Sequence, residues 1–220
     1  MMRIKILLLL CLLLFSACST SNQTEPIPPT SSPPPAATPT HRTPPSEPTA
    51  TPRDPETEVL ARAAQVILLL KNQDMAGLAE MVHRNIGVRF SPYAFVQPDD
   101  RIFLKDQVAG LMSDQTIYHW GIYDGSGADI ELTFAEYFAE FVYDVDFASA
   151  PQIAVNQRLG PGSTIDNSQE VYPGNNIVDY HFPGFEPSFE GMDWRSLRLV
   201  FKYCQGSFDL IGIIHDEWTP

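Results

Sequence analysis

Hydrophobic residues between positions 55 and 82 recur with the 3.6-residue period of amphipathic helices. Asp54 is a predicted N-cap, and Pro55 suits the first helical position because it has no N–H to satisfy. A second short helix is predicted over Asp74 to Val82. The residues predicted to share the buried face of the first helix are Val59, Ala63, Val66, Ile67 and Leu70.

After these helices the pattern changes to short apolar runs bounded by glycine, proline and aspartate, which is typical of strands. Ile102 to Met112 is predicted to be a short helix. Thr133 to Val142 is predicted to be a longer one, with Thr133 and Glu136 as a capping box. Cys204 to Ser207 is predicted to form a hairpin turn. The predicted strands are Gly87–Tyr93, Ile117–Tyr123, Ile153–Leu159, Ile177–Phe182, Leu197–Tyr203 and Phe208–Trp218.

Helices followed by a mostly antiparallel sheet form the order that is typical of α+β folds. Residues 56–220 are 165 residues long, a normal size for one hydrophobic core. We therefore predict a single α+β domain over this range. The only cysteine in it is Cys204, so its fold is expected to depend on the core rather than on a disulfide.

The first 17 residues have the pattern of a signal peptide. Arg3 and Lys5 precede an uncharged run from Ile6 to Phe15, and Ser16-Ala17 supplies the small residues of a cleavage site. Ten apolar residues are too few to span a bilayer, which takes ~20. An exported protein is therefore expected.

The stretch Phe15-Ser16-Ala17-Cys18 resembles the bacterial lipobox, although Phe15 stands where that motif usually has Leu, Val or Ile. The resemblance implies cleavage before Cys18 and attachment of a diacylglyceryl group to its sulfur, usually with a further acyl chain on its amine. Two or more chains hold a protein stably on a membrane. The implied protein is lipid-anchored on the extracytoplasmic face of a bacterial cell membrane. The alternative is a secreted protein cleaved after Ala17.

Residues 18–55 are rich in proline, threonine and serine, and Ser19 to Pro55 contains twelve of the 20 prolines of the chain. Such a composition buries too little apolar surface to offset the entropy of ordering. We expect a disordered, extended stalk between the anchor and the domain.

The start of the domain is similar to NTF2-like (cystatin-like) domains in three places: Asn72 to Leu78, His83, and Gly87 to Phe90. The resemblance implies helices packed on a curved sheet that surrounds a cone-shaped cavity. The domain also resembles a group of exported bacterial lipoproteins. The stretches that carry this second resemblance are Arg89–Ala94, Trp120–Gly127 and Gly212–Trp218.

Two histidine–carboxylate pairs are candidates for acid/base chemistry. Asp179 and His181 are two residues apart on one predicted strand, and His215 and Glu217 are two apart on another, so the members of each pair share a face. Such a pair loosely resembles the isomerases and dehydratases of the NTF2-like fold. The competing interpretation is that Asp179 and His181 face water and that His215 is a satisfied core or rim histidine.

A long loop between the last strands carries the candidate binding residues, Phe185, Phe189 and Trp194. Exposed aromatic residues on loops often bind partners, whereas a loop that folds them back onto the sheet serves packing alone. We predict a non-catalytic module that binds a small molecule or a surface protein, with a cone-cavity enzyme as the alternative.

The sequence predicts neither a cofactor nor a metal ion. It has no phosphate-binding glycine loop and no nucleophile elbow, and Asp144 and Asp146 lack a ligand motif. From Glu56 onward, 24 acidic and 10 basic side chains leave a strongly negative domain. Nucleic acid is therefore a disfavoured partner, and the membrane is expected to be contacted through the lipid anchor.

We predict that the mature protein made in a bacterial host begins at an acylated Cys18. Its N-terminal peptide should carry the mass of two or three acyl chains, and Cys18→Ala should lose that mass. Mass spectrometry of membrane and medium fractions measures this. An unmodified N-terminus at or near Cys18 would instead indicate a secreted protein.

Overall fold

The computed structural model describes residues 54–162 and 164–219. The predicted signal peptide, Cys18 and the stalk up to residue 53 lie outside these ranges. In the described part of the chain, no helix is long and apolar enough to cross a membrane.

Both N-terminal helices are confirmed. Helix α1 (Pro55–Lys71) begins after Asp54, whose carboxylate accepts a hydrogen bond from the backbone N–H of Thr57. All five residues of its predicted apolar face are buried. Helix α2 (Met75–Met81) begins in the same way, with Asp74 capping the N–H of Gly77 at 2.8 Å.

The predicted helix over Ile102 to Met112 is wrong in its first part. Arg101–Phe103 is strand β2, which pairs with β1 (Val88–Ser91) in antiparallel register. Helical structure begins only with α3 (Lys105–Val108), followed by a 3₁₀ turn at Leu111–Ser113. Pairing with a neighbouring strand decides the conformation of so short an apolar run, and local periodicity cannot reveal that neighbour.

A separate two-stranded sheet comes next, formed by β3 (Tyr118–Ile122) and β4 (Asp129–Leu132). Strand β4 was not predicted, because its four residues carry two charges and only one of its side chains is buried. The helix that follows, α4 (Phe134–Phe141), confirms the prediction. Its capping box is present, with Glu136 accepting from the backbone N–H of Thr133 at 2.8 Å.

The main sheet has six strands in the order β2-β1-β8-β7-β6-β5. All its pairings are antiparallel except that of β1 with β8. A bulge between Val200 and Phe201 bends the long hairpin of β7 and β8. Short helical turns occur at Phe147–Ser149, Ser168–Val171 (α5) and Pro187–Phe189. The strands not yet given are β5 (Gln152–Val155), β6 (Asn176–Phe182), β7 (Arg195–Cys204) and β8 (Ser207–Glu217).

The predicted hairpin turn between β7 and β8 is confirmed. Its two central residues, Gln205 and Gly206, both have positive φ, 50° and 89°. This is the left-handed pair that a two-residue turn requires to match the twist of its strands. The predicted α+β class with a mostly antiparallel sheet is therefore confirmed.

The central strands are buried on both faces. One face, here called the helix face, packs against α1, α2 and α4 and includes Val178, Leu199 and Ile213. The opposite face, here called the loop face, is covered mainly by residues 156–162 and 164–172 and includes the smaller apolar cluster around Val200.

The interior on the helix face is filled by aromatic rings. Phe90 lies at its centre, with ring centroids of Phe134 and Phe103 at 5.3 and 6.0 Å in edge-to-face geometry. Trp120 and Tyr137 stack on each other at 3.8 Å beside it. Aromatic side chains therefore form the core between the helices and the sheet.

We predict that Phe90→Ala lowers the free energy of unfolding by about 3–5 kcal/mol, because it removes the ring that four other aromatic residues contact. Urea denaturation measures the loss. Phe90→Leu should lose less, and Ile153→Ala, at a half-exposed edge-strand position, less than about 1 kcal/mol. Equal losses for Phe90→Ala and Ile153→Ala would contradict a central role for this ring.

Candidate functional site

The strand register separates the two candidate acid/base pairs. Asp179 is paired with Arg198 and His181 with Ser196, which places them on the loop face. His215 is paired with Leu197, on the helix face. The sheet itself therefore lies between His181 and His215, and the four candidate residues do not form one site.

Asp179 and His181 do not face water, contrary to one interpretation of the sequence. Their exposed fractions are 0% and 2%. The segment after β5 that crosses this face is here called the cover (residues 156–162 and 164–172). Within it, the backbone N–H of Leu159 donates to Asp179 Oδ2 at 2.8 Å. In β6, the apolar residues alternate with Asp179 and His181, which suggested that the face carrying Asp179 and His181 was in contact with water. The sequence of β6 does not reveal that the cover lies over that face.

Two partly buried ion pairs fix the cover to the sheet. Arg158 binds Asp216 through both Nε and Nη2, at 2.7 and 3.0 Å. Arg198, on β7, donates from Nη2 to Asp166 Oδ2 and to Ser168 Oγ, each at 2.9 Å. An arginine fork on a carboxylate is among the strongest polar contacts in proteins, so this cover is firmly held.

Burial determines the protonation chemistry of Asp179 and His181. Burial raises the pKa of Asp179 to about 6 despite the N–H of Leu159 and the charge of Arg198. Burial also lowers the pKa of His181, whose Nδ1 lies 2.8 Å from Ser196 Oγ. Both groups have the perturbed pKa expected of catalytic residues, but burial is the first cause of each shift.

His215 and Glu217 belong to a second charged cluster at the end of the helix face. Burial alone would lower the pKa of His215, but the Asp144 carboxylate, 3.4 Å from Nε2, outweighs it and the pKa is raised. Arg195 bridges the two carboxylates of this cluster, since it binds Asp144 at 3.0 Å and Glu217 at 3.1 Å. The sequence offered Asp144 and His215 together only as metal-ligand types without a motif, and their pairing was not predicted because Asp144 lies 71 residues away in the turn after α4.

Next to this cluster lies an open cleft of about 340 Å³, here called the loop cleft. Its walls come from the loop 183–194 and from the end of β8. The residues that line it are Phe189, Met192, Asp193, Arg195, Glu217 and Trp218. It thus combines three large apolar side chains with the outer members of the charged cluster.

The three candidate aromatic residues of the loop have different environments. Phe185 and Phe189 are 47% and 52% exposed, whereas Trp194 is only 1% exposed. A Cβ on Gly160 would come within 2.6 Å of the Trp194 ring, so this ring packs closely on the cover of the loop face. Phe185 and Phe189 are available to a ligand, and Trp194 anchors the loop that presents them.

The backbone of the loop is fixed by Asp193. Its Oδ2 accepts the N–H groups of Phe185 and Glu186 at 3.0 and 2.8 Å. These hydrogen bonds hold the pKa of Asp193 below its usual range, so the carboxylate is ionised at neutral pH. The apolar side chains are therefore exposed from an ordered turn.

A second cleft, of about 440 Å³, lies between the loop after β1 and the small sheet. It is lined by side chains that include Tyr93, Phe95, His119 and Ile165. The residues lining these two clefts do not include Asp179, His181 or His215.

No protein-family model, curated protein or solved structure matches this chain. Its function is therefore inferred from its residues and their geometry.

One group of metal-ligating residue types, His83, Cys204 and Asp209, has its ligand atoms within 4.8 Å of one another. The sequence gave no sign of it, because α2 and the β7–β8 hairpin bring distant residues together. However, His83 Nδ1 accepts the N–H groups of Asn85 and Ile86, each at 3.2 Å. The neutral ring must then carry its proton on Nε2, which makes Nε2 a donor rather than a metal ligand.

We predict that the effect of Asp179→Asn on the free energy of unfolding depends on pH. Folding raises the pKa of Asp179 from 3.8 to about 6, so the folded state binds a proton that the unfolded state has lost. The wild-type free energy of unfolding therefore falls as the pH rises through this window. The difference, variant minus wild type, should rise by about 2 kcal/mol from pH 4.5 to pH 7.5 in urea denaturation.

A suitable control is Val200→Ala, which alters the same face without a titrating group. Its difference from the wild type should not change with pH. A difference for Asp179→Asn that is equally flat would show that Asp179 ionises normally in the folded protein.

Proposed function

We propose that this chain is a lipid-anchored, extracytoplasmic binding module whose binding surface is the loop cleft. The observation that carries the proposal is the exposure of large apolar side chains in and beside one cleft. Phe189, Met192 and Trp218 line the cleft, and Phe185 lies next to it on the same ordered loop. Such surface is costly to leave in water, and contiguous patches of it mark interaction sites.

Binding is favoured over catalysis by where the ionisable groups lie. Asp179 and His181 are covered, and His215 is 1% exposed beneath Asp144. A general acid or base must reach the proton that it transfers. Of the ionisable groups that do reach the loop cleft, Arg195 and Glu217 form an ion pair, and Asp193 accepts backbone N–H groups of the loop.

We further propose that the fold is NTF2-like. The observation that supports this is that two helices precede a mostly antiparallel sheet whose last strands form a long hairpin. Proteins of this fold include carriers, enzymes and interaction modules, so the fold alone does not select among them. The filled interior favours an interaction module that uses its outer surface.

The lipid anchor is the part of the proposal that rests on the sequence motif around Cys18. Acyl chains on this residue would attach the chain to a membrane, and the stalk would hold the domain away from it. The partner would then be a small molecule or a protein at the cell surface.

We expect that small organic fragments bind the loop cleft in preference to the rest of the described surface. In NMR spectra of the labelled protein, amines, carboxylic acids, alcohols and sugars serve as the probes. Binding fragments should shift the indole N–H of Trp218 and the backbone amides near Phe189. Phe189→Ala should reduce the affinity for these fragments about fivefold, because it removes a wall of the cleft.

The matched control is Ile165→Ala, which removes an exposed apolar side chain from the second cleft and should leave these affinities unchanged. If fragments cluster at the second cleft and Phe189→Ala has no effect, the loop cleft is not the binding surface.

A further inference from the structure

We infer that the loop cleft binds a basic segment of a partner polypeptide, with a lysine or arginine side chain lying between its apolar walls. This inference rests on the proposed function, since it names the partner of the same cleft. It follows from the negative charge around the cleft, from the contacts that Arg195 already makes with carboxylates, and from the apolar and aromatic character of the exposed side chains.

The loop that forms the cleft carries only negative charge. Residues 183–194 include Glu186, Glu190 and Asp193 and contain no lysine, arginine or histidine. Glu186 and Glu190 are exposed, and no salt bridge is found for either in the described structure. Glu217 adds a further carboxylate on the opposite wall.

All three guanidinium nitrogens of Arg195, the single cation that lines the cleft, already contact an acceptor. Arg195 donates from Nε to Asp144, from Nη1 to the carbonyl of Trp194 and from Nη2 towards Glu217, at 3.0, 2.9 and 3.1 Å. An anionic ligand would have to compete with these carboxylates for the guanidinium. Glu217 uses only Oε2 in this pair, so the acceptor capacity that remains favours a cation or another donor.

The apolar walls suit the same ligand. Phe189 and Trp218 present aromatic rings, and a lysine or arginine head group is attracted to a ring face. The methylene stem of such a side chain packs on apolar surface while its charge stays near water. Met192 adds a flexible thioether side chain, a residue type common on surfaces that accept varied peptides.

A polypeptide fits better than a free amine because the exposed apolar surface extends beyond one cleft. A second hollow, of about 220 Å³, lies on the same loop and is lined by residues that include Pro183, Phe185 and Pro187. One cation would leave this hollow and Phe185 in water. A segment in which a basic residue has apolar neighbours offers side chains for both.

The test uses three N-acetylated, C-amidated tripeptides, Leu-Lys-Leu, Leu-Gln-Leu and Leu-Glu-Leu, with hexylamine as the free cation. The Kd of each is measured from the indole N–H shift of Trp218. We expect Leu-Lys-Leu to bind about fivefold more tightly than Leu-Gln-Leu, Leu-Glu-Leu to bind least, and added salt to reduce the preference. Hexylamine should bind more weakly than Leu-Lys-Leu.

Two variants test which residues are responsible. Glu190→Gln should reduce the preference for Leu-Lys-Leu over Leu-Gln-Leu while leaving the affinity for Leu-Gln-Leu unchanged. Phe189→Leu should weaken Leu-Lys-Leu about twofold to fivefold, since it keeps an apolar side chain but removes the ring. Asp106→Asn, at an exposed acidic residue on α3, is the matched control. It should change neither the preference for Leu-Lys-Leu over Leu-Gln-Leu nor the affinity for Leu-Lys-Leu.

The outcomes separate the two proposals. Equal affinity for the three tripeptides at the Trp218 cleft would overturn the basic partner and leave the binding surface intact. Hexylamine binding as tightly as Leu-Lys-Leu would overturn the polypeptide partner in favour of a small cation. No shift with any of the four probes would overturn this inference, and the fragment screen would then decide independently whether the cleft binds ligands at all.

Discussion

The burial of strands β6, β7 and β8 on both faces is the constraint on which the rest of this structure depends. Side chains alternate across a strand, so the polar residues at the centre of these strands are buried and depend on partners within the protein. The crossing segment on the loop face contacts Asp179 at Oδ2 and Arg198 at Nη2, while Asp179 Oδ1 and the other two nitrogens of Arg198 have no hydrogen-bond partner in the described structure. His215 finds Asp144 on the helix face. The charged residues that suggested catalysis therefore contribute to holding the layers together.

These ion pairs connect elements that are distant in sequence. Arg158 to Asp216 and Arg195 to Asp144 span 58 and 51 residues. Replacing Asp144 or Asp216 would leave a partly buried arginine without its carboxylate, which costs more than losing a fully exposed pair. The pairs thus specify where the cover and the α4 turn attach, in addition to whatever net stability they contribute.

Local patterns predicted the elements whose stabilisation is itself local. Helices α1 and α4 were predicted from their caps and apolar faces, and the β7–β8 turn from Gly206 and its neighbours. Strand β2 was not, because three residues become a strand only through pairing with β1. The same reasoning explains the candidate site. Spacing showed correctly that Asp179 and His181 share a face, but what covers that face is a tertiary contact.

The loop aromatics show how one segment can serve both packing and exposure. Trp194 is the residue at which the loop enters β7, and it is held between His181 and the glycines of the cover. Phe189, five residues earlier, lies beyond the reach of that packing and remains exposed. Because Asp193 binds the backbone of Phe185 and Glu186 and so closes the loop on both sides of Phe189, little conformational entropy remains to be lost when a partner contacts Phe189. An ordered apolar wall beside carboxylates that have no salt-bridge partner in the described structure favours the binding of a side chain with an apolar stem and a positive end.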